Sequence, residues 1–245
     1  MKNYKIIVQY EGTRYNGWQK QGNTENTIQE KLESVLSRLA EKPVEVYGSG
    51  RTDAGTHAAG QTANFHLETA LSPAEIMDYL NTYLPRDIGV IAIEEVPLRF
   101  HSRLNAKRKT YLYRIRRGAV PMVFDRRYMA EYPEALDVSA MRRAAGFLLG
   151  RHDFMAFCAN GHMKKSTIRT LYRLEIQEFP NELRFLICGS GFLHHMVRIM
   201  VGTLCEVGAG KRTPESMPAL LNSRKRSNAG ETMPAQGLTL LSVEY

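Results

Sequence analysis

Leu71-Ser72-Pro73-Ala74-Glu75-Ile76 opens a helix, and the place where it falls decides the fold. Ser72 is an N-cap type, Pro73 suits the first turn, and Glu75 stands three residues beyond the cap, where it can close a capping box. Ile76, Leu80 and Leu84 follow at helical spacing, and Pro85 closes the helix. Upstream, Gln61 to His66 reads as a strand behind a glycine-rich loop, and Val44 and Val46 start another. Further back, Ile28, Leu32, Val35, Leu36 and Leu39 share one stripe of a helix ended by Pro43, while Tyr4, Ile6, Val8 and Tyr10 alternate as a strand. Downstream, Gly89 to Val96 reads as a strand. The order is β-α-β-β-α-β.

That is the split order of ferredoxin-like units, and the second part of the chain repeats it. A strand is expected near Thr110 to Arg116, then a helix opened by Asp137 with Val138, Met141, Ala145 and Leu148 inward. Strands near Ile168–Glu178 and Leu183–Cys188 come next. Residues 192–207 place Leu193, Met196, Val197, Met200, Val201 and Leu204 on one apolar helical face, and Gly237 to Glu244 supplies a closing strand. Arg224 to Gly237 reads as a polar loop. The expected fold class is therefore α+β, with two ferredoxin-like βαββαβ-type units, residues 1–98 and 99–245, whose sheets are antiparallel or mixed because two strands separate consecutive helices. The junction near residues 97–109 is basic, so the units are expected to flank a central basic cleft.

The chain has 245 residues, 43% of them apolar and 24% charged, with 19 Gly and 10 Pro, a globular composition that excludes a disordered polypeptide. Three cysteines, Cys158, Cys188 and Cys205, are an odd number without C-x-x-C spacing, which excludes a disulfide framework and suits a reducing cytosol. Ile6-Ile7-Val8 is too short for a signal-peptide core, so the N-terminus is expected to stay on the mature protein. The most hydrophobic window, Phe192 to Ala209, is broken by His194, His195, Arg198 and Glu206, and no membrane crossing is expected.

Net charge is +8, from 33 basic and 25 acidic residues. Between Arg99 and Arg127 lie ten basic residues and one acid, Asp125, so this stretch carries +9 and the remainder −1. Charge this concentrated points to an anionic partner. Phe100, Tyr111, Tyr113 and Phe124 are interleaved with it, which suits phosphate neutralisation together with base stacking. The competing reading is a solvated face, with the alternation in Lys109-Thr-Tyr-Leu-Tyr-Arg-Ile115 turning at least one tyrosine into the core.

Tyr47-Gly-Ser-Gly-Arg-Thr-Asp-Ala-Gly-Thr-His-Ala58 is the most unusual segment. Gly48, Gly50 and Gly55 allow positive φ and close backbone approach, so Arg51 and Asp53 are presented on a tight loop at a strand end. A dinucleotide fingerprint fails because its third glycine falls on Asp53, and a phosphate loop fails for lack of G-K-[ST]. The plainer alternative has Asp53 capping a turn and pairing with Arg51. His152, Cys158 and His162 can be imagined around zinc, but without a paired-Cys motif structural histidines are the better reading and no metal is expected. The motifs of esterases, zinc proteases and base deaminases do not occur. Arg198 sits in an otherwise apolar helix, where it either snorkels to the surface or meets a carboxylate, for which Asp53 is a candidate.

Taken together these motifs resemble the bacterial TruA-type tRNA pseudouridine synthases. Gly50-Arg-Thr-Asp-Ala-Gly-Thr-His-Ala58 is similar to the catalytic loop of that family, Lys109-Thr-Tyr-Leu-Tyr113 to its substrate-tyrosine motif, and Met196-Val-Arg-Ile-Met-Val-Gly202 to its arginine helix. Thr27-Ile-Gln29, Gly60-Gln61, Phe100-His-Ser-Arg103, His152-Asp-Phe, Arg169-Thr170 and Pro234-Ala-Gln-Gly-Leu238 match as well, so the resemblance runs nearly end to end. Thr56, where Val is usual, and Met233, where Ala is usual, are departures.

The resemblance implies isomerisation of uridine to pseudouridine at positions 38, 39 and 40 of the tRNA anticodon stem-loop, without metal or cofactor, by a cytoplasmic homodimer. It implies that Asp53 is the essential carboxylate, that Tyr111 lies on the target uracil and that Arg198 pairs with Asp53. The 1–98 unit would then carry the catalytic loop, and the 99–245 unit the substrate tyrosine and the arginine helix. Because the target base must leave its stack, Arg51 is expected to fill the vacated space or to hold the RNA backbone. Two other classes fit the charge: a non-catalytic RNA-binding protein or RNA chaperone, which leaves the glycine-flanked Asp53 unexplained, and an enzyme of free nucleotides.

Overall fold

Alternating apolar residues at the N-terminus become a strand, β1 (Lys2–Tyr10), with Tyr4, Ile6, Val8 and Tyr10 all buried. The computed structural model describes residues 1–118, 123–161, 163 and 165–245, which leaves His162 outside the described residues. The chain divides into two compact units, residues 1–107 with 240–245, and residues 108–239.

In the first unit β1 is followed by α1 (Ile28–Ala40), β2 (Val46–Gly48), β3 (His57–Leu67), α2 (Pro73–Tyr83) and β4 (Ile88–Val96). Thr27 caps α1, its hydroxyl accepting the Glu30 amide at 3.2 Å. The expected capping box closes α2: the Ser72 amide donates to Glu75 Oε2 at 2.7 Å, and the Glu75 amide to Ser72 Oγ at 3.3 Å. The strands pair in the order β4, β1, β3, β2, every neighbour antiparallel. Ile28, Leu32, Leu36, Ile76 and Leu80 bury the helices' inner faces. β3 begins at His57, four residues before the stretch its sequence marks, because Ala58 pairs with Tyr10 although Ala-Ala-Gly lacks any strand-forming side chain. A buried polar layer fixes the far end of this sheet. Asn64 Nδ2 donates to Asn3 Oδ1 at 3.1 Å, the Ser102 amide to Asn64 Oδ1 at 2.8 Å, and Asn3 Nδ2 to the Phe100 carbonyl at 2.9 Å. The C-terminus completes the unit, with the Tyr245 ring 5.0 Å from that of Phe100.

The second unit comprises β5 (Arg108–Arg116), β6 (Ala130–Glu131), α3 (Val138–Gly146), β7 (Gly150–Asp153), β8 (Ile168–Phe179), β9 (Glu182–Gly189), α4 (Met196–Gly208) and α5 (Met217–Ser223), and leads into β10 (Leu238–Glu244). Its strands run β5, β9, β8, β7, all antiparallel, while β6 adds a two-residue parallel pairing on β5. Tyr113, Ile115, Phe185 and Ile187 form the buried face of this sheet, and Met141, Ala144, Met200 and Leu204 are buried on α3 and α4. Asp137 caps α3 as expected, accepting the Ala140 amide at 2.9 Å. α4 starts at Met196, later than the apolar stripe suggests, because His195 takes a left-handed conformation (φ 59°, ψ 8°) that cannot continue a helix. The fold class is α+β.

Candidate active site

The Gly48–Thr56 loop hangs between β2 and β3 of the first unit and is tied down on three sides. The Ser49 amide donates to the Thr62 carbonyl at 2.7 Å, Ser49 Oγ to Gln61 Oε1 at 2.7 Å, and Gln61 Nε2 to the Gly50 carbonyl at 2.9 Å. From the segment after β1, the Trp18 amide donates to the Thr52 carbonyl at 3.1 Å, and the Tyr15 carbonyl accepts the Gly55 amide at 3.3 Å. The Tyr10 hydroxyl meets Thr52 Oγ1 at 2.8 Å in the interior, and burial raises its pKa well above the usual phenol range. Tyr15 is itself anchored, its hydroxyl donating to Asp87 Oδ1 at 2.6 Å. Asp87 loses solvation there, yet its hydrogen bonds from Tyr15 and Arg14 outweigh that loss and hold its carboxyl below the ordinary range.

The loop glycines divide the work. Gly55 takes φ 77° in the turn where the Thr56 amide returns to the Asp53 carbonyl at 3.1 Å. Gly48 makes room for the buried Trp18, whose indole stands 2.5 Å from where a Cβ would be. Gly17 is a partner the sequence did not single out. At φ 89° it lies under Thr52 and Asp53, and a Cβ there would come within 2.6 Å of the Thr52 carbonyl. Asp53 is thus half-buried on a backbone held by its neighbours before any substrate arrives, while Arg51 is exposed. Their shared loop does not make them an ion pair: Arg51 Nε donates to Gln19 Oε1 at 3.1 Å instead. That departs from the plainer expectation of an Arg51–Asp53 pair.

Tyr111 and Arg198 belong to the second unit. Tyr111 is buried on β5, paired with Ile187, and its ring meets Phe192 edge-on at 5.0 Å and 84°. Tyr113, two residues on, is the core tyrosine that the alternation predicts. Its hydroxyl donates to the Pro234 carbonyl at 2.7 Å, and burial raises its pKa although the Arg198 guanidinium nearby opposes the shift. Arg198 is half-buried on α4, and its Nε donates to the Met233 carbonyl at 2.6 Å. Residues 230–233 come this close because Gly202 leaves the helix surface bare opposite the Glu231 carbonyl, and because Thr203 Oγ1 accepts the Gly230 amide at 2.9 Å. Met233 therefore acts through its backbone, which the identity of its side chain could not reveal.

The first unit offers a half-buried carboxylate on a loop held by its neighbours, and the second offers a buried aromatic ring on β5 and a half-buried guanidinium held by the Met233 carbonyl. His152 Nε2 lies 2.7 Å from the Leu149 carbonyl, and Cys158 Sγ lies 3.5 Å from that of Asn160. Of the basic stretch, Arg114, Arg116 and Arg117 are bound into ion pairs, with Glu182 at 2.5 Å, Glu131 at 3.1 Å and Glu178 at 2.6 Å. Arg99, Arg103 and Arg126 are exposed.

A sequence model of the family described as tRNA pseudouridine synthase matches residues 6–105 and 144–245, a span that includes Asp53 and Arg198. The chain belongs to the tRNA pseudouridine synthase family. It is accordingly an isomerase that makes pseudouridine from uridine in tRNA. A tRNA pseudouridine synthase A of Bacillus sp. strain KSM-64 is 46% identical over 245 residues, covering 100% of both chains, and one of Clostridium acetobutylicum is 43% identical over the same extent. A chain in the crystal structure of a Cbf5–Nop10–Gar1 complex aligns over 97% of this chain and 48% of that one, with a TM-score of 0.41 and 13% identity, a likeness too slight to argue from. Among the described residues no helix is long and apolar enough to cross a membrane.

Proposed function

We propose that this pseudouridine synthase modifies the anticodon stem-loop of tRNA at positions 38, 39 and 40, with Asp53 as its catalytic carboxylate, Tyr111 against the target uracil, Arg198 as the partner of Asp53, and Arg51 on the RNA. The observation that carries this reading is the loop around Asp53, whose backbone is held from β3 and from residues 15–18 in the way a group that must meet one carbon atom requires. The reaction breaks N1–C1′, turns the uracil and joins C5 to C1′. Asp53 either attacks C1′ and is released as C5 returns, or removes the C2′ proton of the ribose to give a glycal and gives it back to C2′ as C5 bonds to C1′. In both routes the electron pair of the broken bond leaves on uracil, C5 loses its proton and N1 gains one. Tyr111 suits retention of the free base, because a ring pinned edge-on by Phe192 keeps its orientation. Arg198 suits alignment of the carboxylate, because Met233 fixes the angle of its guanidinium.

Each unit is read as ferredoxin-like, the antiparallel order β4, β1, β3, β2 of the first supporting this. The first is the bearer of the catalytic loop and the second of the tyrosine and the arginine helix. The names of the relatives, matched over their whole length, support a tRNA enzyme, and a cytoplasmic location and a homodimer are proposed with it. Incubation with an unmodified tRNA transcript followed by pseudouridine mapping tests reaction and position together. Asp53→Asn keeps the size of the side chain and removes the anion, so tritium release from C5-labelled uridine in that tRNA is expected to fall to background. Substantial residual release would remove Asp53 from the chemistry.

A further inference from the structure

A line of polar side chains joins the buried face of α1 to Arg51, and each link has only one possible direction. It starts at Glu33, whose carboxylate is buried. Glu33 Oε1 accepts the Val46 amide at 3.0 Å and Gln29 Nε2 at 2.8 Å, and Oε2 lies 3.3 Å from Lys20 Nζ. Gln29 Nε2 also donates to the Val46 carbonyl at 3.2 Å, so both of its hydrogens face acceptors. Turning the Gln29 amide over would set its oxygen against a carboxylate and a carbonyl, and its NH2 against the Lys20 amide that Oε1 now accepts at 3.0 Å. Gln29 Oε1 must therefore face outward, where it accepts Gln19 Nε2 at 2.8 Å. That fixes the second amide in turn. Gln19 is left with its oxygen toward Arg51 and accepts Nε at 3.1 Å, where an NH2 group would oppose a cation.

We infer that Glu33, Gln29 and Gln19 form a one-way relay that makes Gln19 the positioning residue for Arg51, aiming its guanidinium at a phosphodiester of the RNA. The inference rests on the reading of Arg51 as an RNA contact. An exposed arginine on its own spends most of its time in other rotamers, and each hydrogen bond from RNA must then offset that lost freedom. Holding Nε from behind removes part of this cost and leaves the two terminal nitrogens as a fork for phosphate oxygens. Hydrogen bonds aligned along a chain also polarise one another, so the charge of Glu33 strengthens the acceptor that meets Arg51 at the far end of the line. No other hydrogen bond or ion pair of the Arg51 side chain occurs among the described residues. The relay thus has one output.

The test is a double-mutant cycle on the full chain with an unmodified tRNA transcript, read by equilibrium binding over a series of salt concentrations. Arg51→Ala is expected to weaken binding and to lower the salt slope by about 0.7 to 0.9, the share of one phosphate. Gln19→Ala is expected to weaken binding about three- to tenfold, the worth of one hydrogen bond, and to have no further effect once Arg51 is alanine. Gln19→Met, which keeps the bulk of the half-buried side chain, should behave like Gln19→Ala and covers the case in which truncation disturbs folding. Equal losses from Gln19→Ala in both backgrounds, or wild-type binding by both Gln19 variants while Arg51→Ala weakens it, would overturn the relay and leave the Arg51 reading standing. Wild-type affinity and slope in Arg51→Ala would remove that reading and the relay with it, whereas pseudouridine formation by the unaltered chain on the same transcript tests the reaction separately.

Discussion

Thr56 shows how a residue three positions from the proposed catalytic carboxylate can carry a buried polar atom that the fold does not satisfy. It is 1% exposed, and its hydroxyl has no hydrogen-bond partner among the described residues, although the side chain stands where valine is the usual residue of the resembling motif. A buried hydroxyl without a partner costs about 1–3 kcal/mol, more than the small β-branched side chain gains by carrying it. Thr56→Val, which keeps the shape and removes the polar atom, is expected to raise stability by about 1 kcal/mol, or Tm by roughly 2–4 °C in a chain of this size. Thermal unfolding followed by circular dichroism checks it, and an unchanged or lower Tm would show that the hydroxyl is satisfied in solution. Sequence pattern marked Thr56 as a departure but could not say whether it was harmless, because satisfaction of a hydroxyl depends on neighbours distant in the chain. Gln29 is the opposite case. Its place beside Ile28 and one turn before Glu33 on a helix is visible in the sequence, yet its second acceptor, the Val46 carbonyl, comes from β2 and only the fold supplies it.

Among the elements, the long ones were legible, whereas of the short ones β2 was and β6, β7 and α5 were not. β1, α1, α2, β4 and β9 follow from alternation, stripes and caps, each of which is a local property. β6 and β7, two and four residues long, carry no period to read and exist because neighbouring strands offer them a partner. α5 had a usable start in Thr213-Pro-Glu-Ser-Met-Pro218, and Met217, Leu220 and Leu221 are buried at helical spacing, but two prolines in five residues mask it as a loop. At Gly202 the sequence would mislead about energy as well. Helix propensity alone credits Gly202→Ala with roughly 1 kcal/mol of added stability. In the fold the new Cβ would collide with the Glu231 carbonyl, and overpacking of this kind costs about 1–3 kcal/mol and shifts backbone. The expected result is a lower Tm together with slower pseudouridine formation at saturating tRNA, since residues 230–233 must move and carry the Met233 carbonyl away from Arg198 Nε. A rise in Tm would mean that propensity wins and that this segment yields without cost.

At the scale of the whole molecule, the charge count overstated what the basic stretch offers to RNA. Arg114 is bidentate on Glu182, 2.5 and 3.2 Å, with both side chains largely shielded from solvent. Burial alone would raise the Glu182 carboxyl, but its bonds to Arg114 and Arg184 prevail and lower it. A lowered carboxyl contributes stability above the ordinary glutamate range and loses it as pH falls toward the shifted value, so this cluster works for the fold at neutral pH. Replacing Arg114 by alanine leaves a shielded carboxylate with Arg184 as its remaining partner, which should cost about 1–3 kcal/mol of stability. The salt slope of tRNA binding should stay where it was, because a cation already neutralised by a carboxylate releases few counterions from RNA. Arg99 and Arg103 lie in the same stretch of sequence but are exposed, with no ion pair among the described residues. Replacing both by alanine should leave Tm within about 1 °C, as ordinary for surface sites, and lower the slope of log K against log salt by up to roughly 0.9 for each phosphate that one of them neutralises. If Arg114→Ala flattened the slope and the exposed pair did not, these ion pairs would have to open on the RNA, and the arginines now assigned to the fold would be the ones that bind.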